Sequence, residues 1–201
     1  MLGDQASPIE VLLAAVTSGD DEGAEQAVEA LKQAPQSDIP HLKATLEVLS
    51  TDSDVDKRWW AVRSLAALDT PDVSGLLIRA LGDQHAAVRQ CAALGLRLHP
   101  TDQAIPSLLA LLEDPDPLAA SLAADALADL GTAAVPGLLT IVQEGSHRAR
   151  LEGVRALARI GDPSSIPILI SLLNGDSGAI DYWARQGLER MGMAMVFFKP
   201  E

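Results

Sequence analysis

Aromatic residues, cysteine and positive charge are all scarce in this 201-residue chain. Six aromatics, 3% of the sequence, are too few to build a sheet protein, whose strands draw on aromatic and β-branched side chains. The lone cysteine, Cys91, excludes an intramolecular disulfide and a multi-cysteine metal site. Fifteen Lys and Arg stand against 28 Asp and Glu, a net charge of −13, which argues against a surface that attracts nucleic acid or anionic lipid. No stretch approaches about 18 uncharged apolar residues, and Met1-Leu2-Gly3-Asp4-Gln5 carries neither a basic n-region nor an apolar h-region. A cytoplasmic protein without membrane insertion is expected. Gly-rich phosphate loops and Gly-x-Ser-x-Gly elbows are missing, and no two histidines stand at i, i+4 on a helix face. The sequence therefore leans away from an enzyme and requires neither metal nor cofactor.

What the chain has in quantity is leucine and alanine. Its 48% hydrophobic content is too high for disorder, and its length suffices to bury a core without staples. The apolar residues recur on a long period. One leucine column runs Leu65, Leu96, Leu127, Leu157 and Leu188, at spacings of 31, 31, 30 and 31. A second column, seven residues earlier, runs Arg58, Arg89, Ala120, Arg150 and Asp181. A third reads Ile39-Pro40, Ile105-Pro106, Val135-Pro136 and Ile166-Pro167, with Val73-Ser74 between. Three columns in one register define a repeat.

Each unit reads as two helices. Proline suits the first turn of the first helix, where its missing N–H has no intrahelical partner. An Asp/Gly/Pro turn follows, such as Gly82-Asp83 or Glu113-Asp114-Pro115-Asp116, with aspartates placed to cap the next helix. The second helix often closes on a glycine, Gly131, Gly161 or Gly192, suited to a left-handed cap. Six helix pairs are expected, at about 8–34, 37–69, 70–99, 100–131, 132–161 and 162–192. The fold expected is all-α: a single α-solenoid domain over 1–201, a right-handed α-α superhelix of helix pairs. Its first repeat is degenerate and acidic, regular repeats cover about 37–192, and an apolar cap covers 193–201.

The segment from Ala149-Arg150-Leu151-Glu152-Gly153-Val154-Arg155-Ala156-Leu157 through Ile160-Gly161-Asp162-Pro163 to Ile166-Pro167 resembles the short HEAT-like repeat of the phycobilisome lyase type. The likeness covers roughly residues 37–192. It implies the solenoid, and relatives that attach or remove bilins, help degrade phycobilisomes, or serve as binding scaffolds. A HEAT-like hydroxylase also exists whose di-iron site uses His-Glu pairs. Here the pairs are His41-Leu42, His85-Ala86, His99-Pro100 and His147-Arg148, so that site is missing.

Candidate binding residues come from a helical wheel at about 100° per residue, with Lys57, Val88, Ala119, Ala149 and Ile180 as position zero of each second helix. Positions 0, 4, 8 and 11 form the buried stripe. Positions 2, 3, 6 and 10 fall opposite or on its flank, on the side expected to line a concave groove. The candidates among them are Trp59, Trp60, Arg63, Cys91, Leu94, Leu98, Leu122, Asp125, Asp129, Arg155, Arg159, Tyr182, Trp183 and Arg190. Tryptophan and arginine are enriched at binding hot spots, and arginine suits carboxylates. The other reading of the paired aromatics is packing against alanine-rich neighbours. Cys91 fits a packed position better than a nucleophile, and the Arg58/Arg89/Arg150 column reads as a structural tie between turns. Residues 1–56 hold twelve acids and two bases, and the remainder sixteen and thirteen, so most of the negative charge lies in the first repeat.

The expected function is a binding scaffold holding a protein partner in this groove. The resemblance implies an antenna protein or a second HEAT-like subunit as that partner. The alternative is a protein that binds a bilin or other tetrapyrrole, stacked on tryptophan with its propionates on arginine. As a lyase it would need a proton donor, for which Asp125, Asp129 and Glu152 are the candidates. The run Met193–Phe198 reads as a lid over the open end of the core or as a homodimer contact.

Overall fold

The computed structural model describes residues 7–70, 73–175 and 177–193. Their regular structure is helical, with twelve α-helices in six consecutive pairs. The pairs are α1 (Pro8–Ser18) with α2 (Asp21–Lys32), α3 (Ile39–Leu49) with α4 (Val55–Ala67), and α5 (Ser74–Ala80) with α6 (Ala86–Leu98). They continue as α7 (Ile105–Leu111) with α8 (Pro117–Leu130), α9 (Val135–Glu144) with α10 (His147–Ile160), and α11 (Ile166–Ser171) with α12 (Gly178–Arg190). Every pair falls inside the interval its repeat predicts. The chain is an all-α solenoid.

Local signals place the ends. Proline occupies the first turn of α3, α7, α9 and α11. Asp54 and Asp116 accept backbone N–H bonds at the starts of α4 and α8, and Ser146 and Ser177 do so at α10 and α12. Gly131, Gly161 and Gly192 stand at φ +68°, +69° and +75°, where an L side chain is strained. The most apolar long stretch, Pro117–Glu144, is divided by the turn at Gly131–Ala134 into α8 and α9, which pack into the repeat core. Beyond Met193, the expected apolar cap lies outside the described residues.

The contacts cluster into two compact units, Met1–His99 and Pro100–Glu201, of three helix pairs each. Within the first, α4 packs on both α2 and α6; within the second, α10 packs on both α8 and α12. The core is a leucine file with Leu31, Leu65, Leu127, Leu157 and Leu188 at 0% exposure. Each contributes about 2 kcal/mol by burial. Close approach of second helices depends on wheel position 7, which reads Ser64, Gly95, Ala126, Ala156 and Gly187 and is buried throughout. A Cβ on Gly95 would stand 2.9 Å from Ala66 Cβ, and one on Gly187 would stand 2.9 Å from Ala158 Cα.

Arg58 ties successive turns together. Its Nε and Nη2 donate to the two Asp83 carboxylate oxygens at 2.8 and 3.0 Å, and Nη1 donates to the Asp52 and Ser53 carbonyls. Both side chains are at least nine-tenths buried. The repeat equivalents satisfy themselves differently: Arg89 donates to the Asp83 carbonyl and Arg150 to the Val142 carbonyl.

Candidate functional site

Among the described residues the second helix α4 packs against α1, α2, α3, α5 and α6, and α10 packs against α8, α9 and α12. This widens the buried arc well beyond the stripe at positions 0, 4, 8 and 11. Position 9 meets the following helix, as Ala66 does at Gly95. Position 7 meets the preceding one, as Gly187 does at Ala158. What remains open is a narrow stripe at positions 2, 6 and 10, about 200–280° around the wheel.

Two of the expected surface residues are therefore corrected to core. Trp60, 7% exposed, packs beside Leu12, Leu13 and Val16 of α1 and meets Trp59 edge-on at 4.8 Å. Cys91 on α6 is 6% exposed. Its burial pushes the thiol up to about 12, against the opposing charge of Arg63. Both occupy position 3: Trp60 is covered from the α1 side, and Cys91 lies within reach of the charges of Arg63 on α4 and Glu25 on α2. Leu122 and Trp183, also at position 3, are half-buried.

In the first unit the open stripe carries Trp59 and Arg63 on α4, and Leu94 and Leu98 on α6. Trp59 is half-buried, whereas Leu94 and Leu98 are 46% and 69% exposed. Arg63 Nη2 donates to Glu25 Oε1 of α2 at 2.5 Å. Glu25 and Glu29 were not among the expected site residues, because the first repeat departs from the 31-residue period. The signal was nevertheless present: Leu31 aligns with Leu65, which puts Glu25 and Glu29 at positions 2 and 6 of α2.

In the second unit two of the stripe arginines, Arg155 and Arg159, are held by the chain's own carboxylates. Arg155 donates to Asp125 at 2.9 Å, to Glu152 at 2.8 Å, and to the carbonyl and hydroxyl of Ser121 at 2.7 and 2.9 Å. Arg159 donates to Asp125 and, at 3.0 Å, to Asp129. These bonds staple α10 to α8. They also occupy Asp125, Asp129 and Glu152 as acceptors. On α12, Tyr182 is 55% exposed and meets the half-buried Trp183 edge-on at 5.3 Å. Arg190 donates to the Arg159 carbonyl at 3.0 Å, and has no carboxylate partner among the described residues.

The helix pairs and the stripe they leave open define a repeat solenoid of stacked second helices. The chain belongs to the HEAT repeats family, whose model matches residues 42–128 and 105–189. It is 34% identical over 131 residues to the phycobilisome maturation protein of Synechococcus elongatus, covering 65% of this chain and 58% of that one. It is 40% identical over 79 residues to the phycocyanobilin lyase subunit beta of Nostoc sp., covering 39% and 37%. The chain thus spans little more than half, and little more than a third, of the lengths of these relatives. Among solved structures it resembles the complex of CpcE and CpcF of phycocyanin lyase from Nostoc sp., with 22% identity and a TM-score of 0.53 over 96% of this chain and 79% of that one. An engineered protein matches with 21% identity and a TM-score of 0.53 over 94% and 99%. At these identities the structural likeness speaks for the fold.

Proposed function

We propose that this protein is a non-catalytic HEAT-repeat scaffold that binds a protein partner of the phycobilisome through the open stripe of its second helices. One observation carries the reading. Positions 2, 6 and 10 stay open in both units, and they hold Leu94, Leu98 and Tyr182, large apolar side chains with about half or more of their surface in water. Such residues at helical spacing suit a protein interface, where aromatic and aliphatic anchors dominate the energy. The names of the relatives support phycocyanin, or a lyase subunit acting on it, as the partner class. The reading keeps the cytoplasmic location expected from the sequence. Gel filtration of the protein mixed with phycocyanin apo-subunits tests it. Co-elution that disappears in the triple variant Leu94→Gln, Leu98→Gln, Tyr182→Ser supports the stripe, and co-elution that persists removes it.

A second reading has its own observation. Arg190, free of a carboxylate partner among the described residues, shares α12 with the Tyr182–Trp183 pair. An edge-on aromatic pair with a guanidinium about two turns further along the same helix suits a propionate-bearing tetrapyrrole. The bilin would then be a ligand or substrate in transit. Titration with phycocyanobilin checks this. An absorbance shift and tryptophan quenching, both lost on Arg190→Gln with Tyr182→Ser, support it, and an unchanged spectrum excludes it.

A further inference from the structure

We propose that the step from α8 to α10 is a salt-sensitive seam, where the stacking of two successive repeats depends on exposed ion pairs of the open stripe instead of a buried tie. It holds whichever partner the stripe takes.

The tie at the step from α4 to α6 joins Arg58, at position 1 of its helix, to Asp83 in the turn of the next repeat, twenty-five residues on. Position 1 runs Arg58, Arg89, Ala120 and Arg150, and the turn position runs Asp83, Asp114, Gly145 and Asp176. Both members are missing together at Ala120 and Gly145. No side chain fits at the turn: a Cβ on Gly145 would stand 2.6 Å from the Ile141 carbonyl oxygen. Ala24 leaves the step from α2 to α4 without the arginine too, but there Trp60 packs beside Leu12, Leu13 and Val16.

The bonds that replace the tie lie at the surface. Around the turns, the Ser146 N–H donates to Glu113 Oε1 at 2.9 Å, and Arg148 donates to the Asp114 and Pro115 carbonyls. On the open face, Arg155 and Arg159 of α10 reach Asp125 and Asp129 of α8. Those four side chains are 18–33% exposed, against 6% and 10% for Arg58 and Asp83. Salt screens exposed pairs strongly and buried pairs much less. Apolar burial is also thin here. The buried side of α8 is five alanines with Leu127, and an alanine removes far less apolar surface from water than a leucine. The ion pairs therefore carry a larger share of the stacking at this step than at the step from α4 to α6, which buries Trp60, Val62 and Leu65 beside its tie.

Hydrogen exchange of the full chain, read by mass spectrometry at about 0.05 M and about 1 M NaCl, tests the seam. Peptides covering α6, which lies over the Arg58–Asp83 tie, are the internal reference. Exchange in α8 and α10 is expected to accelerate about tenfold relative to α6 at the higher salt. Arg159→Gln should speed α8 and α10 about threefold at low salt and reduce their salt response, with α6 unchanged. Equal salt responses in α6, α8 and α10, or none in any of them, overturn the proposal. Exchange in Arg159→Gln identical to that of the wild type overturns it as well.

Discussion

Arg155 of α10 reaches across to Asp125 of α8, thirty residues earlier, and joins it at 2.9 Å. Both residues occupy position 6 of their helices, so the same face that is open to a partner also carries the bonds between repeats.

Arg155→Ala should therefore act first on stability. Its lost bonds to Asp125, Glu152 and Ser121 lower the unfolding free energy by about 2 kcal/mol, read from urea denaturation. A double-mutant cycle with Asp125→Ala should return a coupling of about 1 kcal/mol that shrinks at high salt. A change in ligand binding with no change in stability would show that Arg155 is free to serve a ligand.

The Arg58–Asp83 pair is a deeper tie. Burial alone would raise the Asp83 pKa, but hydrogen bonds from Arg58 and from the His85 N–H, with the Arg58 charge, hold it below the ordinary carboxylate value of 3.8. The unfolded chain then takes up the proton more readily than the folded one. The stabilisation is complete above about pH 5 and is lost as pH falls through the lower folded value. Asp83→Asn should lower stability by about 3 kcal/mol at pH 7, and should flatten the acid limb of stability against pH.

Position 7 offers two substitutions of opposite sign. Ser64 Oγ is buried without a hydrogen-bond partner among the described residues, so Ser64→Ala should raise stability by about 1 kcal/mol. Gly95→Ala adds a methyl at 2.9 Å from Ala66 Cβ and 3.2 Å from the Leu77 methyls, and should cost about 1–3 kcal/mol. Thermal unfolding of the two variants beside the wild type reads both.

Cys91 should be inert in the folded protein. With the thiol pushed up to about 12, its reaction with a disulfide reagent at pH 8 should run about a thousandfold slower than that of free cysteine, and should recover in denaturant.

The helix pairs were legible because repeat spacing fixes them directly: the leucine and proline columns locate each helix and its partner. The buried stripe was legible too, since Leu65, Leu127, Leu157 and Leu188 at position 8 are fully buried. How far burial spreads was not. That depends on the number of neighbours around a helix, which is why Trp60 and Cys91 at position 3 lie in the core. The staples were half legible. Asp125 and Arg155 stand in one column, but only stacked helices show that opposite charges in successive repeats meet. Glu25 was hidden by the irregular first repeat.

The central claim is that partners bind on the open stripe of the second helices. Hydroxyl-radical footprinting in the presence of a phycocyanin subunit measures it side chain by side chain. Protection at Leu94, Leu98 and Tyr182, with Val48 of α3 and Ile170 of α11 unchanged, is the predicted result. Protection at Val48 and Ile170, exposed on first helices, with the stripe unchanged, would contradict the account.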